Sequence, residues 1–356
     1  MAFKKNVVKC DIGSYVHYIR GQKKSGKTTL FRDLVLEEYK DAECGAHISI
    51  GNETGANALD ELMTDQAENW SQLKEIVNDL IENKADNNFK LVCLDTVDEL
   101  VKIATDEVLR QHRIAKNKPA QSINDAFGGY GAGRKKVVEL IDGIIADLQH
   151  AGYGIFLIGH TKLRDVKEKN GDEYQQLKSN LSEDYDGIFA NKADIIMTIT
   201  VDKNIVDDRV VGTKRYMHFR DDGFVDCGSR FTEIPEKVPY GAKEYIEAFE
   251  AGVKSSVKGG ISDAEMKKRK EDEAKTKAKE GAEFSKKAKE NKVDETENQK
   301  IIDEIMTAFS GFSDDEKKEK ATTLKEVKDK YGFDTFKELV SHPTSEVLEI
   351  KNAVLA

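Results

Sequence analysis

The run Gly21-Gln22-Lys23-Lys24-Ser25-Gly26-Lys27-Thr28 fits G-x-x-x-x-G-K-[ST] at every fixed position. The two glycines let the backbone curl until successive N–H groups face phosphate oxygens. Lys27 then reaches β- and γ-phosphates and Thr28 offers its hydroxyl to Mg²⁺, with Gly21, Gln22, Lys23, Lys24, Ser25, Gly26 and Thr29 completing the cradle. A surface turn rich in Gly, Lys and Ser is the plain alternative. The flanks argue against it, because an aromatic and β-branched run precedes the loop and a helical pattern follows it.

Three more positions carry chemistry. Leu91-Val92-Cys93-Leu94-Asp95 is an apolar run ending in a carboxylate, so Thr28 and Asp95 are the expected Mg²⁺ ligands. Ala46-His47-Ile48-Ser49-Ile50 leads into Gly51-Asn52-Glu53. A carboxylate at that strand end polarises an attacking water, which makes Glu53 the candidate base and a solvated turn residue the alternative. Gly154–Gly159 is an apolar run ending at His160. Ligands of parallel α/β sheets sit beyond the carboxyl ends of strands, so His160 is placed to sense a γ-phosphate. Asn83-Lys84-Ala85-Asp86 and Asn191-Lys192-Ala193-Asp194 spell N-K-x-D, a guanine-reading signature. Each precedes a strand instead of following one, so both read as turns and the expected base is adenine.

A parallel sheet must position these groups. Strands are expected over Tyr15–Arg20, Ala46–Ile50, Lys90–Asp95, Gly154–Gly159 and Asp194–Val201. Helices are expected over Thr28–Tyr39, over Ala58–Glu82 with a break, and over Arg134–His150. A polar loop should follow Gly159, and Tyr216–Phe219 with Gly223–Val225 should form a hairpin or two short strands. The alternation predicts an α/β domain with a mainly parallel central sheet over residues 1–250, left at Pro235 and Pro239. Residues 251–298 are mostly Lys, Glu, Ala and Asp, which predicts a flexible or single-helix linker. Residues 299–356 predict a small helical module, with Ile302, Ile305, Met306 and Phe309 as an apolar stripe and further helices near Asp315–Tyr331, Asp334–Val340 and Ser345–Leu355.

The chain has 356 residues, a net charge of −10 and 34% charged residues. That excludes a wholly basic nucleic-acid surface but leaves room for a local basic patch. Cys10, Cys44, Cys93 and Cys227 lie far apart without C-x-x-C, which fits buried thiols in a reducing compartment. Met1-Ala2-Phe3-Lys4-Lys5 has no apolar run behind it, and no stretch is long enough to cross a bilayer. A soluble cytoplasmic protein without a signal peptide or membrane partner is therefore expected.

Together these residues resemble the RecA-like branch of P-loop ATPases. More narrowly, they are similar to phage AAA-domain proteins related to RecA and to Sak-type single-strand annealing proteins. The resemblance spans about residues 12–240 and implies a RecA-like core that binds ATP with Mg²⁺ and hydrolyses it. It implies that Glu53 is the catalytic glutamate, and it matches Asp95-Thr96-Val97-Asp98-Glu99-Leu100 loosely to the Walker B segment. His160 stands where RecA itself usually has Gln. The resemblance also implies a homo-oligomer whose site is completed by a basic residue of the neighbouring subunit. Lys214, Arg215, Arg220 and Arg230 are the candidates, with Arg220 and Arg230 preferred.

RecA-like proteins hold single-stranded DNA with two loops. The resemblance places Arg110, His112, Arg113, Lys116 and Lys118 in the first, near Phe127 and Tyr130. It places Lys162, Arg164, Lys167, Lys169 and Tyr174 in the second. Interleaved cations and aromatics suit backbone tracking and base stacking. Asp165, Glu168, Asp172 and Glu173 lie among them, so an ordinary solvated loop is the alternative. The expected function is ATP binding and hydrolysis coupled to single-stranded DNA in phage recombination or replication, in the host cytoplasm. The expected catalytic residues are Lys27, Glu53, His160, Arg220 and Arg230. One alternative is an ATP-driven motor or loader acting on a replication or recombination protein recruited by the C-terminal module. The other is a small-molecule kinase, disfavoured because no compact arginine-rich lid is visible.

Overall fold

The structure is a computed structural model describing residues 5–293 and 295–355. Met1–Lys4, which carry most of the signal-peptide expectation, lie outside the described residues. The chain divides into two compact units, one running to Ala282 and the other starting at Glu283.

The first unit is an α/β fold around a mainly parallel sheet, as expected. Its elements run β1 (Val16–Gly21), α1 (Lys27–Tyr39), β2 (Gly45–Ile50), β3 (Met63–Ala67), α2 (Trp70–Glu82), β4 (Leu91–Asp95) and α3 (Val97–Lys116). They continue through α4 (Ala132–His150), β5 (Gly154–Lys167), β6 (Glu173–Ser179), α5 (Glu183–Ala190), β7 (Ile195–Val206), β8 (Arg209–His218), β9 (Gly228–Ser229), β10 (Lys237–Pro239) and α6 (Ala242–Ser256). The main path of the sheet is β10-β8-β7-β1-β5-β4-β2-β3, parallel from β7 to β3. β5 therefore separates β1, which leads into the glycine loop, from β4, which ends at Asp95. Every residue of β1, β2 and β4 is buried, as strands covered by helices on both faces require.

That burial reaches His17 in β1. Its Nδ1 lies 2.7 Å from the Tyr245 hydroxyl and its Nε2 2.9 Å from the Ile12 carbonyl oxygen. Burial pushes its pKa down to about 4. The unfolded chain binds this proton near pH 6.5 and the folded chain does not, so stability is full above pH 6.5 and falls as pH drops towards 4. The expected loss is roughly 3 kcal/mol across that window. Urea midpoints measured at pH 7.5 and pH 4.5 check it. His17→Leu should flatten this part of the pH dependence, and an equally steep profile in that variant would assign it elsewhere.

Four segments differ from the sequence expectation. Residues expected to start a broken helix form the edge strand β3, four of whose five positions are exposed. A polar edge strand carries no apolar alternation to reveal it. The first expected DNA loop is largely the helix α3. Thr96 caps it, its Oγ1 accepting the Glu99 N–H at 3.3 Å, and Asp98 with Glu99 in the first turn and Arg113 with Lys116 in the last complement the helix dipole. The polar loop after Gly159 is instead the far half of β5, paired antiparallel with β6. β8 begins well before Tyr216, and Gly223–Val225 contributes only an isolated bridge from Val225 to Leu177.

The charged stretch expected as a linker is the helix α7 (Asp263–Glu290) over most of its length. Its part inside the first unit is docked. Glu273 accepts the backbone N–H groups of Cys10 at 2.7 Å and Asp11 at 3.0 Å, and the Ser14 hydroxyl at 3.0 Å. Lys277 pairs with Asp11, Lys270 pairs with Glu38 and Glu250, and Met266 joins the core. Composition pointed to a tether because apolar area is scarce; specific charge pairing anchors the helix instead.

The second unit holds α8 (Glu295–Gly311), α9 (Asp314–Tyr331), a 3₁₀ segment (Phe336–Ser341) and α10 (Thr344–Leu355). Its core gathers Ile301, Ile302, Ile305, Val327, Phe333, Leu339, Val347, Ile350 and Val354. Met306, expected in the stripe, is 44% exposed, and Ile301 packs in the core. Among the described residues no helix is long and apolar enough to cross a membrane.

Candidate nucleotide site

The site grows from the turn between β1 and α1. Lys24 and Gly26 take left-handed backbone conformations, φ 62° and 101°, which curl the loop over the N-terminus of α1. A side chain at Gly26 would not fit, because its Cβ would lie 2.6 Å from both Arg215 Nη1 and the Tyr240 hydroxyl. Lys27 is buried and its Nζ donates to the carbonyls of Gly21 at 3.1 Å and Gln22 at 3.0 Å. Burial pulls its pKa below the usual lysine value, while Asp95, Asp98 and Glu53 oppose that shift.

Asp95 ends β4, and its Oδ2 accepts the Thr28 hydroxyl at 2.6 Å. A cleft of about 1000 Å³ opens above the strand ends, lined by Gln22, Lys23, Lys24, Gly26, Lys27, Thr28, Thr29, Glu53, Asp95, Asp98, His160, Thr161, Asn180 and Arg215, among others. Glu53 reaches it from the loop after β2, where Ser49 Oγ donates to the Glu53 carbonyl at 2.8 Å. Glu53 Oε1 accepts the N–H groups of Thr54 and Gly55, each at 3.2 Å. A Cβ at Gly55 would lie 3.4 Å from both Glu53 Oε1 and Thr28 Oγ1, so the two side chains flank one gap.

His160 is the register partner of Gly21 across β1 and β5. Asp98 Oδ2 accepts its backbone N–H at 3.0 Å and lies 3.3 Å from its Nδ1, while Asn180 donates to Asp98 Oδ1 at 3.0 Å. Burial pushes the Asp98 carboxyl up, but the hydrogen bonds from His160 and Asn180 outweigh it and hold the group below its ordinary value.

The residues present suit a magnesium–nucleotide triphosphate. Ser25 Oγ and Thr161 Oγ1 are buried beside the cleft without a hydrogen-bond partner, Lys27 is spent only on carbonyls, and Thr28 and Asp95 converge on one point. Among the described residues no cluster of three His, Cys, Asp or Glu side chains forms a closed metal cage. Mg²⁺ needs none, since it is held by one or two carboxylates together with phosphate oxygens and water.

Residues 14–231, which carry every one of these groups except Tyr240, match the family described as AAA domain (AAA_24). The chain belongs to that family. The AAA domain is also similar in structure to the KaiC-like protein PH0186 from the hyperthermophilic archaeon Pyrococcus horikoshii OT3. The identity is 13%, covering 65% of this chain and 88% of that one, with a TM-score of 0.38. No curated protein sequence matches the chain.

The AAA domain thus gathers Gln22, Lys23, Lys24, Gly26, Lys27, Thr28, Thr29, Glu53, Asp95 and His160 at one cleft, with Gly21 and Ser25 in the loop that frames it. Arg220 and Arg230 do not line it. Arg220 donates to the carbonyls of Ile234 at 3.0 Å and Phe231 at 3.4 Å, and Arg230 pairs with Asp194 at 3.2 Å. Arg215 is the arginine that reaches the cleft within the chain. It donates to the Ser25 carbonyl at 3.3 Å and lies over the Tyr240 ring, 4.4 Å from its centroid, while Tyr240 donates to the Gly26 carbonyl at 2.7 Å.

Both N-K-x-D tetrapeptides sit at the far ends of strands. Asp194 accepts the N–H of Val16, the first residue of β1, and Asp86 donates its N–H to Asn83 in the turn that ends α2. Of the expected DNA-contacting groups, Arg110 is paired with Glu107, His112 is buried with its Nδ1 accepting the Phe127 N–H, Arg164 binds the carbonyls of Ser179, Asn180 and Leu181, and Lys167 pairs with Glu173.

Sequence reasoning missed His47, Asn180 and Tyr240 as members of the site. His47 and Ser49 share one face of β2 by the two-residue period of a strand, which is the signal that was there to read. Asn180 and Tyr240 carry no local signal, since tertiary pairing alone brings them in.

Proposed function

We propose that this AAA domain is a Mg²⁺-dependent ATPase that works as a homo-oligomer on single-stranded DNA in phage recombination or replication. The observation that carries the enzymatic part is the convergence of Lys27, Thr28, Asp95, Glu53 and His160 on one cleft. The N-terminus of α1 binds the phosphates through its aligned dipoles. Lys27 exchanges carbonyl partners for phosphate oxygens, and Thr28 with Asp95 would hold the cation. When bound, Mg²⁺ spreads the charge that develops on the transferring phosphoryl group. Glu53 orients and deprotonates water. His160, fixed by Asp98, changes partner when the γ-phosphate leaves. Arg220 or Arg230 of a neighbouring copy would complete the site in trans, Arg230 being the more exposed of the two, with 65% of its side chain accessible.

Two features support a polyanion as the substrate. β5 runs unbroken from the sheet, past His160 and into the hairpin with β6, so a shift at His160 moves that hairpin. In the hairpin Lys162 stands directly opposite Lys178. Neither has an ion-pair or hydrogen-bond partner among the described residues. Like charges facing each other across two strands are destabilising until an anion lies between them. Single-stranded DNA should bind with an affinity that falls steeply with salt, and should raise ATP turnover. Replacing Lys162 and Lys178 together by Ala should weaken DNA binding by about tenfold or more and leave basal turnover unchanged. No DNA binding at low salt with ATP present would favour instead a motor or loader acting on a protein, recruited by the helical second unit.

A further inference from the structure

His47 lies fully buried in the middle of β2. Its Nε2 is 3.2 Å from Asp95 Oδ2, the same oxygen that accepts the Thr28 hydroxyl at 2.6 Å. Its Nδ1 is 2.9 Å from Thr64 Oγ1, and Thr64 sits exposed on the edge strand β3. Ser49, two residues on, pairs in register with Asp95, so β2 lies directly beside the carboxylate strand along this whole stretch. A carboxylate oxygen only accepts, so Nε2 donates to Asp95, and Nδ1 is hydrogen-bonded to the Thr64 hydroxyl. Two donors then fall on Oδ2, which stops the carboxylate from rotating and leaves Oδ1 outside the relay. Any buried histidine needs partners for both ring nitrogens, as His17 has; His47 differs in that one of its partners is the carboxylate at the cleft.

We propose that His47 is a positioning residue for the magnesium–nucleotide. The relay Thr64–His47–Asp95–Thr28 holds the carboxylate and the hydroxyl in the orientation that receives the cation, and it connects that point to the exposed edge of the sheet. This rests on the reading of the cleft as an ATP site. Groups that orient a ligand in this way are worth about 10–100-fold in metal affinity when removed.

The test is binding of a fluorescent ATP analogue to the full chain, titrated with Mg²⁺. His47→Ala should raise the half-saturating Mg²⁺ concentration about tenfold, with nucleotide affinity in the absence of Mg²⁺ nearly unchanged. His47→Gln, whose Nε2 restores a donor to Asp95, should recover most of that loss. Thr64 is exposed, so changing it spares the core. Thr64→Val should raise the half-saturating concentration about threefold, and Thr64→Ser should not. If His47→Ala is poorly folded, the Thr64 pair decides. The proposal fails if Thr64→Val and His47→Ala both stay within twofold of the parent, or if His47→Gln is as weak as His47→Ala. Failure of the ATP reading looks different, because the parent chain itself would then show no Mg²⁺-dependent binding and Lys27→Ala would change nothing.

Discussion

Lys27→Ala is expected to cut ATP turnover by about 10³-fold and to weaken nucleotide binding as well. Lys27 supplies the cation inside a cleft that also holds the carboxylates of Asp95, Asp98 and Glu53, the three groups that oppose the effect of burial on its pKa. Without the ammonium, those carboxylates face a polyanionic ligand with only partial compensation from the N-terminus of α1. The fold should survive. Lys27 bonds only the carbonyls of Gly21 and Gln22, and the left-handed conformations at Lys24 and Gly26 hold the loop's curl. Steady-state turnover and fluorescent-nucleotide binding check the result, with a thermal melt to confirm folding. Unchanged turnover would remove the phosphate-cradle assignment and everything built on it.

Glu53→Gln should give the second large effect, of a different kind. The amide keeps an oxygen to accept the Thr54 and Gly55 N–H groups, so the loop after β2 retains its shape. Nucleotide affinity should therefore stay within about threefold, while turnover falls by about 10²–10³-fold, because an amide cannot take a proton from water. Single-turnover measurements with Mg²⁺ and ATP separate the two quantities. Normal turnover in this variant would make Glu53 a loop-shaping residue and move the search for the base to Asp98. An equal loss of binding and turnover would mean that Glu53 acts on the nucleotide and not on water.

The legible parts of the molecule were those whose signals are local. The glycine loop between an aromatic strand and an apolar helix specified itself within a few turns of chain. Asp95 could be read because it closes an unbroken apolar run, and α4 because Val137, Ile141, Ile144, Ile145 and Leu148 recur at helical spacing and are all buried. β3 was not legible because an edge strand exposed on most of its length shows no alternation. The cations of α3 suggest a solvated loop, yet the Thr96 cap and the apolar spacing of the buried Leu100, Ile103, Ala104 and Val108 mark a helix. The low apolar content of α7 hides its docking, because Glu273 and Lys277 hold it by pairing with backbone N–H groups and Asp11.

By itself, then, the amino-acid sequence determined the phosphate cradle, the carboxylate at the end of β4 and the α/β class. Each follows from residues adjacent in the chain, whose conformation depends on glycine freedom, apolar runs and helix period. The tertiary structure alone decided which groups share the cleft. The order β7-β1-β5-β4-β2-β3 sets His160 beside the loop, His47 against Asp95 and Thr64 behind His47, while the β8–β10 edge lays Arg215 and Tyr240 on the Gly26 turn. Those neighbours are far apart along the chain, and only strand pairing, which no local pattern encodes, brings their side chains within hydrogen-bonding distance.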